Sequence, residues 1–70
     1  MKSDNLKLLR ELYPQGTKVQ LERMDDLHAP PIGCIGVVQF IDDAGQIHVN
    51  WETGSTLALI PECDKFKVLN

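Results

Sequence analysis

Aromatic side chains are scarce in this chain, limited to Tyr13, Phe40, Trp51 and Phe66. A groove for proline-rich peptides is lined by several exposed aromatics, and a methyl-lysine cage needs two or three converging at one rim. Neither is expected here, because Trp51 shares an alternating face with Ile47 and Val49, which marks it as core. Cysteine is equally sparse. Cys34 and Cys63 are too few for a disulfide framework and form no Cys-x-x-Cys pair. Both are expected as free thiols in a reducing cytoplasm, since no apolar run near the N-terminus resembles an export signal. Nothing approaches the roughly 20 apolar residues of a membrane span, so no membrane association is expected.

Positive charge is short as well. Seven basic residues stand against ten acidic ones, for a net charge of −3. From Thr17 onward only Lys18, Arg23, Lys65 and Lys67 oppose Glu22, Asp25, Asp26, Asp42, Asp43, Glu52, Glu62 and Asp64. A surface that tracks phosphates needs clustered Lys and Arg, so this balance disfavours nucleic acid as a partner.

Chemistry-bearing motifs are missing too. An EF-hand loop starting at Asp42 would need glycine sixth and glutamate twelfth, where Ile47 and Thr53 stand; starting at Asp25 puts Pro30 sixth. The aspartate pairs read instead as turn formers, bonding their side chains to nearby backbone N–H groups. His28, His48, Cys34 and Cys63 lack the short spacings of a structural zinc site. There is no Gly-x-Ser-x-Gly elbow around Ser55, and neither cysteine has an activating neighbour in sequence. No enzyme, cofactor, metal or small-molecule substrate is expected.

What is present is a compact alternation of short elements. Ser3 to Leu12 has helical periodicity, with Leu6, Leu9 and Tyr13 on one stripe, Leu8 and Leu12 widening it, Ser3 as cap and Asp4 in the first turn. Pro14 disfavours helical conformation at Tyr13 and should end it. Such a helix is too short to persist in water unless its leucines are covered, by its own domain or by another chain. Beyond Pro14-Gln15-Gly16 the period becomes two. Strands are expected over Thr17–Met24, Cys34–Ile41, Gln46–Trp51, Ser55–Ile60 and Phe66–Leu69, with Asp25–Gly33 as a long loop. Asp42-Asp43-Ala44-Gly45 and Thr53-Gly54 read as tight turns, and Pro61–Asp64 as one turn of 3₁₀ helix. The expected core is Val19, Leu21, Val38, Ile47, Val49, Trp51, Leu57 and Leu59. Five strands in so short a chain cannot form two full sheets, whereas a small closed barrel removes exposed edges. The expected fold is therefore mainly β, a five-stranded SH3-like β-barrel over 14–70 preceded by a short N-terminal α-helix over 1–13.

From Tyr13 to about Val68 the chain resembles an uncharacterised bacterial family of small domains, the domain of unknown function four-three-one-four. The resemblance is carried by Tyr13-Pro14-x-Gly16-Thr17, Met24-Asp25-Asp26, Ala29-Pro30-Pro31 and Asp42-Asp43-Ala44-Gly45-Gln46-Ile47-His48-Val49. It continues through Trp51, Gly54-Ser55 and Leu57-Ala58-Leu59-Ile60-Pro61. Glu52-Thr53-Gly54 departs from the family's Asp-Asn-Gly, and its second Gly-x-Val unit is represented here by Gly33 and Gly36-Val37. The resemblance implies an SH3-like fold and an origin in bacteria or their mobile elements, with no established activity. The functional expectation is a non-enzymatic interaction module that binds an unknown protein partner through its loops or its N-terminal helix. The expected surface comprises Asp25, Asp26, His28, Asp42, Asp43, His48, Leu6 and Leu9. The alternative is a nucleic-acid-binding accessory of a bacterial mobile element, by analogy of fold alone.

Overall fold

The computed structural model describes the backbone of residues 2–69 and the side chains of residues 5–69. Helix α1 spans Lys2–Leu12. Its stop is the expected one: the Tyr13 N–H still donates to the Leu9 carbonyl, and Pro14 then leads into a turn in which the Thr17 hydroxyl and N–H both donate to the Pro14 carbonyl. The cap assigned to Ser3 and the placement of Asp4 lie outside the described side chains.

Four antiparallel strands follow, β1 Lys18–Arg23, β2 Ile35–Ile41, β3 Ile47–Trp51 and β4 Lys65–Val68, hydrogen-bonded in the order β3-β2-β1-β4. The sheet is open, because β3 and β4 stand at opposite ends of that order. This corrects the expectation of a closed five-stranded barrel. Ser55–Ile60 does not form the fifth strand, for a local reason. The Ser55 carbonyl accepts from Trp51 N–H, the Ser55 hydroxyl accepts from Leu57 N–H, and the Leu57 carbonyl accepts from the Trp51 indole at 2.8 Å. Side-chain bonds of this kind compete with a ladder. Leu59 alone forms a β-bridge to β3, exchanging two backbone bonds of 2.8 and 2.7 Å with Ile47. Pro61–Cys63 is a hydrogen-bonded turn rather than a turn of 3₁₀ helix, held by Cys63 and Asp64 N–H groups donating to the Ile60 carbonyl.

Two bulges set which side chains face inward. In β2 the register runs Val38↔Val49 and then Phe40↔His48, so Gln39 is an extra residue. Strict alternation from Val38 would send Phe40 inward; the bulge sends Phe40 out and Ile41 in. In β1 the register runs Leu21↔Phe66 and then Arg23↔Lys65, which turns Arg23 outward and lets Met24 pack against the core.

The buried core consists of Val19, Leu21, Cys34, Val38, Ile41, Ile47, Val49, Trp51 and Leu59. Leu57 is only half-buried, because its backbone is held in the turn that serves Trp51. Gly36 lies directly beneath Val49 and Trp51. A Cβ there would collide with the Val49 side chain and stand 2.7 Å from the Trp51 ring. The expected kink or close approach at this glycine is a close approach. Helix α1 rests on the core through Leu6 and Leu9, joined by Tyr13 just beyond its end, whose ring meets Phe66 edge-on at 5.3 Å. Its other leucines, Leu8 and Leu12, stay 53% exposed.

Candidate functional site

The Asp42–Gly45 turn is organised by one carboxylate. Asp42 Oδ1 accepts from the N–H groups of Ala44 and Gln46 at 3.0 and 2.9 Å, while Gly45, at a φ of 85°, donates back to the Asp42 carbonyl. Asp42 Oδ2 lies 2.8 Å from His48 Nε2 on the neighbouring strand. The His48 bond first, and the Gln46 N–H second, hold the Asp42 carboxyl below its ordinary range. Since ionised Asp42 only accepts, a neutral His48 carries its proton on Nε2. The imidazole in turn stacks on Phe40, centroids 4.2 Å apart and planes 9° from parallel. Phe40 is 56% exposed, an aromatic ring fixed in place yet open to solvent.

Helix α1 closes over the same turn. The Arg10 guanidinium donates to the Ile41 carbonyl at 3.1 Å and to Asp43 at 3.2 Å, the second across exposed surface. Leu9 and Leu6 face Gly45, where an added Cβ would stand 3.7 and 4.0 Å from them. Between the end of the helix and β2 runs an open groove of about 350 Å³ lined by Arg10, Tyr13, Pro14, Gln15, Gln39 and Phe40.

Of the eight residues singled out from the sequence, Asp42, Asp43, His48, Leu6 and Leu9 therefore gather at one end of the molecule. Asp25, Asp26 and His28 do not join them. Asp26 accepts from the His28 N–H at 2.8 Å, which shapes the long loop. Asp25 and Asp26 edge a separate recess with Met24, Leu57, Ile60 and Cys63. Among the described residues no group of three or more His, Cys, Asp or Glu is placed to hold a metal ion, and no helix is long and apolar enough to cross a membrane. Sequence reasoning missed Phe40 and Arg10. Phe40-Ile41 carried a signal, since two adjacent apolar residues cannot both point inward along a regular strand. Arg10 carried none, because its partner Ile41 lies 31 residues away.

The family described as Domain of unknown function (DUF4314) matches residues 2–69. No curated protein and no solved structure matches the chain.

Proposed function

The chain belongs to the DUF4314 family, and on that premise we propose that it is a non-enzymatic interaction module which binds another protein across the helix–hairpin surface. The observation that carries this reading is Phe40, turned outward by a bulge and braced by His48 beside an open groove. A rigid, half-exposed aromatic supplies contact area with little entropy left to lose, which is the usual character of an interface anchor. Exposed Leu8 and Leu12 on the adjoining helix extend the apolar area. The histidine–carboxylate pair supports a binding role over a catalytic one, since the Asp42 carboxylate is already committed to two backbone N–H groups of its own turn. The same reading takes the sheet, lengthened by Leu59, as an SH3-like barrel left open between β3 and β4, working in a bacterial cytoplasm.

The test is site-specific photocrosslinking in the cells that make the protein. A photoreactive residue at Gln39 should give a discrete protein adduct that Phe40→Ala abolishes, while the same group at Glu52 gives none. Thermal melts of the variants establish that each is folded. Absence of an adduct at Gln39, equal adducts from both positions, or an adduct removed by nuclease would each overturn the proposal.

A further inference from the structure

The four basic residues beyond Thr17 are outnumbered two to one in the sequence, yet the fold collects all of them on one two-stranded ribbon. Lys18 and Arg23 lie on β1, Lys65 and Lys67 on β4, and all four are exposed. Val19, Leu21, Phe66 and Val68 form the inward-facing set of this pair; Gln20 stands opposite Lys67, so Lys18, Lys65 and Lys67 share the outer face. The β1 bulge sets Arg23 opposite Lys65 and so adds it to that face. The acidic residues beside the ribbon are exposed Glu22 at the bulge, Asp64, which directly precedes Lys65 and accepts from Ile60 N–H, and Glu52, whose carboxylate accepts from Ile35 N–H.

Among the described residues, β4 is also an unpaired edge of the sheet. Leu21 exchanges bonds with Cys34 and Gly33 on the β2 side, while Lys18 accepts from Leu69 on the β4 side. Bonding direction alternates along an antiparallel strand. Lys18 and Gln20 thus face β4, Lys67 turns its N–H and C=O toward Gln20, and those of Phe66 and Val68 point off the sheet. Lysines on a short edge strand ordinarily discourage pairing with other strands. That discouragement is selective: it acts against neutral and basic strands and reverses for acidic ones, because opposite charges directly across a strand pair attract.

We propose that the edge of β4 accepts an extended acidic segment of another protein as an added strand. Carboxylates at alternate positions of such a segment repeat at about 6.7 Å, the spacing between Lys65 and Lys67 along β4, with β1 and its cations about 4.8 Å behind. Backbone bonds to Phe66 and Val68 supply the pairing, and the lysines supply the choice of partner. Nucleic acid fits this face less well. No aromatic stands on it to stack a base, and the rest of the molecule is acidic. The surface is separate from the Phe40 groove and does not depend on that groove binding anything.

The experiment is a titration of the full ¹⁵N-labelled chain with an acetylated octapeptide of alternating valine and glutamate. The valine–glutamine counterpart and a short DNA duplex serve as competing probes. The acidic peptide should give saturable shifts centred on β4 and slow the hydrogen exchange of the Phe66 and Val68 amides. Lys65→Glu with Lys67→Glu, both exposed positions, should weaken it by about tenfold or more, and Phe40→Ala should leave it unchanged. No saturable binding, shifts centred elsewhere, equal affinity for the glutamine peptide, or tighter binding of the duplex at the same ionic strength would each overturn the proposal.

Discussion

At the scale of single residues, Asp42 holds most of the hairpin's order, and its ionisation state matters. Its carboxyl titrates below the ordinary 3.8 because His48 and the Gln46 N–H favour the anion. A group with a depressed folded pKa contributes stability that is present above its unfolded value and is lost as pH falls through the folded one. Asp42→Asn keeps an oxygen for the two N–H groups and removes the charge. The stability gap between wild type and Asp42→Asn should therefore narrow as pH drops from about 5 to about 3, read from urea midpoints. A gap that stays constant over that range would show that the anion contributes nothing. Much of this turn was legible in the sequence, since Asp42-Asp43-Ala44-Gly45 has the composition of its turn type. The bond to His48 was not, because an outward strand position gives no hint of what stands across from it.

At the scale of elements, the helix has one docked face and one open face. Leu6 and Leu9 touch the core and cover Gly45, whereas Leu8 and Leu12 face solvent. Replacing Leu6 and Leu9 by alanine should lower stability by about 1–2 kcal/mol each, below the range for fully buried leucines because they are only half-buried. Replacing Leu8 and Leu12 should change it by no more than about 0.5 kcal/mol. Denaturant unfolding of the two double variants compares them directly; equal losses would mean that all four leucines are covered. Helix, turns and all four strands follow from periodicity and from Pro and Gly positions. The bulges do not, because each is a misalignment between two strands and has no counterpart in either strand alone. Periodicity also assigned Ser55–Ile60 to a strand whose backbone is instead held by Trp51 and by its own serine.

At the scale of the whole molecule, composition concealed the local sign of charge. A chain at −3 carries a face dominated by lysine and arginine because β1 and β4, distant in sequence, are neighbours in the sheet. The two thiols report on the same global structure. Cys63 is exposed and Cys34 buried, both free, so both can be alkylated only once the core opens. Under native conditions one label should attach rapidly at Cys63, and the second should attach at a rate that rises with denaturant as opening becomes more frequent. Mass spectrometry counts the labels. Two rapid labels in the native state would place Cys34 outside the core.

The strand order also has a history, because a polypeptide is made in one direction. β2 and β3 can close on each other and on β1 as soon as they leave the ribosome, but β4 is the last of the four to be synthesised. Until it arrives, β1 is itself an edge, with the inward faces of Val19 and Leu21 lacking Phe66 and Val68 beside them. Synthesis at about 5–20 residues per second makes that interval brief but real. An early stop within the Ser55–Asp64 stretch would release a three-stranded intermediate whose unpaired margin is the very strand meant for the interior of the sheet. The quality of such products, and their tendency to find one another, is therefore governed by the final few residues of the fold rather than by its hairpins.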